Sequence, residues 1–308
     1  MDIAILIQQL LILFIILFCG VFLYKIHLMD QELNQKLTRL LIDFTLPATI
    51  LDSVMNQTGS RSYSRLAVMF AASVSMYVLL PFISDGIARL LHVPAKDKGC
   101  YLFMSTFGNT GFMGYPLISA LLGSEGVLYA AIVNMIFNIA CFAYGVTMMS
   151  GKKQKLSLRS FLFTLLTPGI SVSILSIILY LTGFVLPTII TSPVHYIGNM
   201  TTPLAMLVVG STLGSMDLKS VFSEFRIYPF ILIRQFLVPV LLFPLLKLCI
   251  PDTFLLTIVF IMLLVPVANT SVIFSINYGN NQELATKGVF LTTLCSLVTM
   301  PLALALCL

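Results

Sequence analysis

The stretch that decides the fold comprises residues 105–116 and reads STFGNTGFMGYP. It lies in the middle of a long apolar segment and contains three glycines and one proline. Glycine weakens a helix by about 0.5 to 1 kcal/mol relative to alanine, and proline lacks the amide hydrogen that a helix needs. We therefore predict an apolar helix that is interrupted near its middle.

The rest of the chain has the composition of a membrane protein. Of its 308 residues, 58% are hydrophobic and only 9% are charged, whereas soluble domains carry about 25% charged residues. A helix needs about 20 apolar residues to cross a bilayer. Hydrophobic runs and polar breaks predict an all-α membrane protein with ten transmembrane helices, at residues 3–24, 35–57, 63–90, 98–122, 126–149, 161–183, 190–214, 226–250, 253–276 and 284–307. The first segment lacks a signal-peptide cleavage pattern, so we expect it to be a retained span.

The composition argues against several functional classes. The net charge of +5 comes from 17 basic and 12 acidic residues, which are too few for a nucleic-acid groove. The three histidines are far apart in the sequence and the six cysteines lack C-x-x-C spacing, so we expect no metal site. The sequence contains neither a phosphate-binding loop nor an H-E-x-x-H motif. We therefore predict that the protein is not an enzyme and carries no cofactor.

Basic residues are distributed unequally between the two sides of the predicted spans. One side collects thirteen lysines and arginines, and the other has only Arg61, Arg65 and Lys247. By the positive-inside rule the richer side is cytoplasmic, which places both termini outside the cell. We expect the protein in the plasma membrane, with residues 150–160 as a basic cytoplasmic linker.

Two short sequence matches predict an internal repeat. Residues 43–47 (DFTLP) match residues 199–203 (NMTTP), and residues 108–111 (GNTG) match residues 268–271 (ANTS). The separations are 156 and 160 residues, and each match joins corresponding spans of the two halves. Because five helices per half give the halves opposite topology, we predict two inverted five-helix repeats, at residues 1–149 and 161–308.

The second match also has the chemistry of a binding site. Pro266 precedes Asn269 by three residues, so the ninth predicted span is expected to be broken like the fourth. Broken helices at equivalent places in inverted halves indicate a transporter's substrate site, because helix N-termini attract a carboxylate. The side-chain donors would be Asn109, Thr110, Asn269 and Thr270. The alternative interpretation is that these small and polar residues only allow close helix packing.

These residues resemble the auxin efflux carrier family, which includes bacterial permeases for malate and related carboxylates as well as the plant auxin exporters. The resemblance is most specific at residues 108–116 and continues at residues 123–126 (GSEG). Further matching positions are Gly20, Lys25, Pro47, Asn134, Arg234, Pro239 and Pro266. The resemblance implies a ten-helix fold similar to that of the bile-acid sodium symporters, in which helices 4 and 9 cross at the substrate site. It also implies a transport bundle that moves against a scaffold.

The chain departs from the plant members at two places. Gly108 stands where the plant exporters have a proline before the asparagine, and a short basic linker replaces the long cytoplasmic loop of many plant members. Glycine keeps its amide hydrogen and bends the chain less rigidly than proline. We therefore expect a small carboxylate rather than auxin as the substrate.

Two charged residues lie inside predicted spans. Asp43 and Arg234 are each roughly 12 to 14 Å from the cytoplasmic end of their span. An isolated charge at that depth costs at least about 2.5 to 3.5 kcal/mol. One interpretation is a structural Asp43–Arg234 ion pair, and the other is that Arg234 attracts the anion while Asp43 binds a coupling proton or cation. Thr45 and Thr201, each two residues before a proline, either belong to that coupling site or only support helix kinks.

These features favour secondary active transport of a small organic anion, such as malate, by alternating access. The predicted substrate residues are Gly108, Asn109, Thr110, Gly111, Asn134, Arg234, Pro266, Asn269 and Thr270, and the predicted coupling-ion residues are Asp43, Thr45 and Thr201. The alternatives are a sodium-coupled symporter of a larger organic anion, an anion channel and a membrane sensor. No helix carries the sustained polar face that a channel needs. The sequence leaves open the anion, the transport direction, the coupling to protons or sodium, and whether the protein forms a homodimer.

Overall fold

The computed structural model of the chain describes residues 3–55, 62–151, 167–215, 222 and 224–308. Among these residues every regular element is a helix, and the one β-type pairing is an isolated bridge between Gly108 and Val267. The all-α class is therefore confirmed. Most of the predicted linker, residues 152–160, lies outside the described residues.

The described helices follow the predicted ranges closely, apart from interruptions inside some of them. They are α1 (Ile3–Lys25), α2 (Gln31–Leu40), α3 (Leu46–Met55), α4 (Tyr63–Leu90), α5 (Lys98–Thr106), α6 (Tyr115–Ala140), α7 (Val146–Ser150), α8 (Pro168–Thr182), α9 (Thr188–Asn199), α10 (Thr201–Gly214), α11 (Ile227–Ile231), α12 (Val238–Cys249), α13 (Thr253–Leu264), α14 (Thr270–Asn277) and α15 (Gln282–Cys307). Short π-helical segments lead into α3, α6, α7 and α12, namely π1 (Leu41–Thr45), π2 (Thr110–Gly114), π3 (Cys141–Gly145) and π4 (Leu232–Leu237). Such π segments interrupt the regular helical hydrogen bonding and often occur near functional sites.

Five helical segments in the described part of the chain are long and apolar enough to cross a membrane. They are Ile7–Lys25, Tyr63–Leu90, Thr110–Ser150, Ile227–Cys249 and Gln282–Cys307. Their length and composition agree with a helical membrane protein. The count of ten spans stays a prediction.

Gly123 divides the longest of these segments. It lies inside α6 with φ 68° and ψ −165°, which no helical residue adopts. Glycine reaches this region without a steric penalty because it has no Cβ atom. The division falls between residues 122 and 126, where the sequence predicts the boundary between the fourth and fifth spans.

The chain forms two compact units that both draw on the two sequence halves. Unit 1 contains Met1–Met69, Gly111–Met135 and Leu165–Met216, and unit 2 contains Phe70–Thr110, Ile136–Thr164 and Asp217–Leu308. The first unit includes α1 to α3 and α8 to α10, and the second includes α5 and α11 to α15. Each compact unit therefore combines segments from both halves of the chain. The division into two repeats stays a prediction.

In unit 1, α1 and α10 pack backbone against backbone. A Cβ atom on Gly210 would overlap the carbonyl oxygen of Leu17, and one on Gly20 would overlap the carbonyl group of Leu207. Lipid tails are as apolar as leucine, so close backbone approach and hydrogen bonds provide much of the attraction between membrane helices. Both glycines are therefore required for this helix pair.

We expect Gly210→Ala to lower the thermal unfolding temperature of the purified protein in detergent. The added methyl group meets rigid backbone, and overpacking of this kind typically costs about 1 to 3 kcal/mol. The matched control is Gly86→Ala in α4, because nothing lies within 4 Å of a Cβ atom built there. Equal unfolding temperatures of the two variants would contradict the assigned packing.

Candidate functional site

The two interrupted helices of unit 2 meet through their backbones. The amide of Asn109 donates a hydrogen bond to the carbonyl of Pro266 at 2.7 Å, and the amide of Ala268 donates to the carbonyl of Phe107 at 3.1 Å. These bonds flank the antiparallel bridge between Gly108 and Val267. Irregular backbone at membrane depth requires such partners inside the protein. Backbone groups that lack helical partners at one break therefore bond to backbone groups at the other.

Local sequence explains why the chain breaks at these points. Val265, which caps α13, has φ −55° and ψ 144°, the extended conformation that a following proline favours. On the other side, a Cβ atom on Gly108 would lie 2.7 Å from Cγ2 of Val265 and 2.9 Å from Nη2 of Arg234. Gly108 is thus needed for a close approach, which a larger residue would prevent.

An aromatic cluster fixes the residue that precedes Gly108. The ring of Phe107 is fully buried, and its centroid lies 4.6 to 6.2 Å from those of four neighbouring rings, which belong to Tyr77, Phe103, Phe137 and Tyr144. Tyr144 in turn donates a 2.6 Å hydrogen bond to the carbonyl of Tyr77. These contacts hold the end of α5 while the backbone after it leaves the helix.

Arg234 caps the broken end of α13. It lies on π4 and is 6% exposed, and its Nη1 donates a hydrogen bond to the carbonyl of Val265. A cation is favourable at this position because the carbonyl end of a helix carries partial negative charge. The acceptor is a neutral peptide group, so this contact leaves the formal charge of Arg234 in place beside the crossing.

The helix α15 supports the crossing from another direction. Thr292 accepts a 3.1 Å hydrogen bond from the amide of Val267 through its hydroxyl, and its carbonyl accepts one of 3.0 Å from Nε2 of Gln235. Thr292 and Gln235 are fully buried. Neither residue is part of a recognisable motif, so sequence reasoning did not identify them.

A small cavity lies next to Arg234. Its volume is about 20 Å³, and its lining includes Tyr77, Ser105, Thr106, Gly108 and Arg234. A cavity needs at least about 10 to 15 Å³ of this kind of space to hold one water molecule. The cavity therefore fits a water molecule and is too small for a dicarboxylate.

The N-terminal end of α14 presents polar groups that have no assigned role in packing. Asn269 occupies the capping position and makes no side-chain capping bond. Among the described residues, the buried hydroxyl oxygens of Thr270 and Ser271 have no hydrogen-bond partner. Hydroxyl groups and free amides at a helix N-terminus suit an anion. Ser271 belongs to the ANTS match, but the sequence alone gave no reason to include it in the site.

The remaining predicted substrate residues have different surroundings. Asn109 and Thr110 directly follow the crossing and are 4% and 1% exposed. Gly111 and Asn134 belong to unit 1. Space around Gly111 is open, since a Cβ atom there would meet nothing within 4 Å.

The predicted coupling-ion residues belong to unit 1. The side chain of Asp43 is 47% exposed and forms an ion pair of 3.3 Å with Arg39 on the same helix. Its pairing with Arg234 stays a prediction. Thr201 accepts a 2.7 Å hydrogen bond from the hydroxyl of Thr49, and Thr45 is buried one turn before Thr49.

Comparison with known proteins identifies the family. A sequence model of a family described as membrane transport protein matches residues 5–304. A relative from Methanocaldococcus jannaschii, described as an uncharacterized transporter, is 27% identical over 220 residues, which cover 68% of this chain and 69% of the relative. Both findings indicate a multi-pass membrane transporter rather than an enzyme. The chain therefore belongs to the membrane transport protein family, which is the auxin efflux carrier family that its sequence resembles.

Proposed function

We propose that this protein is a secondary transporter that moves a small organic anion, such as malate or a related carboxylate, across the plasma membrane by alternating access. The observation that carries the proposal is the backbone pairing of two interrupted helices in unit 2, between Asn109 and Pro266 and between Phe107 and Ala268. Paired interruptions of this kind occur at the midplane binding sites of secondary transporters.

The charges and donors around the crossing favour an anion over a cation. The N-terminal end of α14 supplies amides with partial positive charge, together with the hydroxyls of Thr270 and Ser271. Asn109, Thr110 and Asn269 supply further donors to the carboxylate. Arg234 adds a full positive charge next to the crossing, where its guanidinium bonds to the carbonyl of Val265.

The other predicted residues shape the site. Gly108 and Pro266 allow the backbone to leave the helix, and Gly111 and Asn134 remain proposed substrate residues. Asp43, Thr45 and Thr201 remain the proposed residues for a coupling ion, either a proton or sodium. Asp43 is the weakest of these three candidates for a coupling-ion site, because its carboxylate is exposed and pairs with Arg39.

Contacts within each unit support two inverted repeats of five helices, at residues 1–149 and 161–308. Thr49 and Thr201 come from the second and seventh predicted spans and bond to each other in unit 1. Gly108 and Val267 come from the fourth and ninth predicted spans and form the bridge in unit 2. Corresponding spans of the two halves therefore contact each other twice. The proposal also includes ten membrane spans, with both termini of the chain outside the cell.

The direct test is uptake of labelled mono- and dicarboxylates, malate included, into proteoliposomes under imposed proton and sodium gradients. We expect saturable uptake of at least one anion, because a site that combines hydrogen-bond donors with the buried cation Arg234 recognises carboxylate. Uptake no faster than in protein-free liposomes for every anion would contradict the proposal. Unitary currents in bilayer recordings would point to a channel instead.

Asn109→Ala and Asn269→Ala should each reduce saturable uptake at least about tenfold. A hydrogen bond to a charged group is worth about 1.5 to 3 kcal/mol, and each factor of ten corresponds to 1.4 kcal/mol. Asn277→Ala is the matched control, because Asn277 is exposed at the opposite end of α14. Wild-type uptake in both site variants would show that the substrate binds elsewhere.

Gly108→Ala should impair transport far more than Gly111→Ala, although both glycines belong to one motif. The methyl group at position 108 pushes against Val265 and Arg234, whereas the one at position 111 meets open space. The measurement is uptake per folded protein, with folding checked by size-exclusion chromatography. Similar uptake by the two variants would mean that the close approach at Gly108 is not needed for transport.

A further inference from the structure

Unit 1 contains a chain of three polar side chains that the proposed anion site does not use. Oδ2 of Asp52 on α3 lies 3.0 Å from Nδ1 of His195 on α9. The amide nitrogen of Asn199, one helical turn further along α9, lies 2.9 Å from Nε2 of the same ring. The side chain of Asp52 is 13% exposed, whereas that of His195 is half-exposed. The imidazole is therefore held on both sides and still reachable from outside the protein.

With the amide nitrogen of Asn199 facing the ring, donor and acceptor roles favour one tautomer of His195. A carboxylate only accepts hydrogen bonds, and the nitrogen of an amide side chain only donates them. Nδ1 of His195 must therefore donate to Asp52, and Nε2 must accept from Asn199. The ring is then neutral, and the lone pair of Nε2 is the place where a second proton can bind.

Protonation at Nε2 changes the contact with Asn199. The new N–H group would face the amide nitrogen of Asn199, and two donors repel each other. Asn199 must then rotate its side-chain amide to present Oδ1, or the contact breaks. The opposite contact becomes stronger, because Asp52 then pairs with a cation.

In the described part of the chain, few other titratable groups lie on the elements that make most of the contacts with α9. The elements that pack against α9 are α3, α10 and π1. Of the described residues on them, α3 carries Asp52, α10 carries no titratable residue, and π1 carries Asp43, which pairs with Arg39. On α9 itself, the ring of Tyr196 lies 6.2 Å from that of His195. Arg61, beyond the end of α3, lies outside the described residues.

Asn199 lies at the junction between α9 and α10. It is the last residue of α9, and α10 begins at Thr201. Thr49 on α3 donates to Thr201 and approaches the carbonyl of Gly198 at 2.9 Å. Gly198 and Thr201 thus contact Thr49 on α3, whereas the side chain of Asn199 contacts His195. A proton on His195 therefore acts on the connection between α9 and α10.

We propose that Nε2 of His195 is a proton-binding site, and that its occupation, sensed by Asn199 at the α9–α10 junction, makes the rate of transport depend on pH. Histidine changes its charge between about pH 5 and pH 8. The pH dependence rests on the proposed transport function, whereas proton binding itself does not.

The first measurement tests proton binding without transport. His27 and His92 have φ of 61° and 48°, a region that asparagine tolerates, so His27→Asn and His92→Asn leave His195 as the single histidine. In that protein, labelled with nitrogen-15 at histidine, the ring should carry its proton on Nδ1 at high pH and become doubly protonated on acidification. Asp52→Ala removes the acceptor of the Nδ1 proton, so it should change the nitrogen-15 shift of Nδ1. A ring that stays neutral down to about pH 5, or a nitrogen-15 shift of Nδ1 that is unchanged in the Asp52 variant, would overturn the proposal.

The second measurement is uptake into proteoliposomes at equal internal and external pH between about pH 5 and pH 8. We expect the wild-type rate to change by about fivefold or more across this range, as a typical coupling between two sites gives. His195→Gln should remove this pH dependence of the rate. Asn199→Ala should also remove it, although His195 still binds its proton in that variant. His92→Asn is the matched control and should keep the wild-type profile.

The outcomes separate the two proposals. An unchanged pH profile in His195→Gln or Asn199→Ala overturns the role of His195, although the protein remains an anion transporter. Uptake that is absent in every variant contradicts the proposed function instead, and the nitrogen-15 titration then decides alone whether His195 binds the proton.

Discussion

Peptide groups inside a bilayer have no water to bond with, and each one left unpaired costs several kilocalories per mole. A membrane helix can therefore be broken only where the protein supplies new partners. Here the two breaks supply each other, through the bonds from Asn109 to Pro266 and from Ala268 to Phe107. Arg234 and Thr292 bond to the groups on either side, the carbonyl of Val265 and the amide of Val267. The position of every proposed substrate ligand in unit 2 follows from this pairing.

The role of Arg234 follows from the same constraint. Burial of a guanidinium is unfavourable unless its donors are bonded, and the carbonyl end of α13 provides an acceptor of suitable polarity. Because that acceptor carries no formal charge, the guanidinium keeps its full positive charge beside the crossing. Under the proposed function, this charge attracts an anion without the tight bidentate pair that arginine makes with a carboxylate in direct contact. Such an arrangement suits a protein that must release its substrate as readily as it binds it.

The sequence predicted those features that depend on local chemistry. Glycines and Pro266 mark both breaks, and Gly123 lies at the predicted boundary between two spans. It did not predict the contacts of Thr292 and Gln235, because they depend on how distant helices pack and leave no pattern in the chain. The bond from Arg234 to the carbonyl of Val265 was not predicted, because a backbone carbonyl has no sequence signature. The partner of Asp43 could have been found, since Arg39 precedes it by four residues and shares its helix face.

The composition of the two units has a consequence for biosynthesis. Each unit takes segments from early and late parts of the chain, so unit 1 is incomplete until Met216 has been made and unit 2 until Leu308. Helices that enter the membrane first remain without some of their native partners until the ribosome has produced the later segments. Completion of either unit therefore depends on segments that are synthesised at different times.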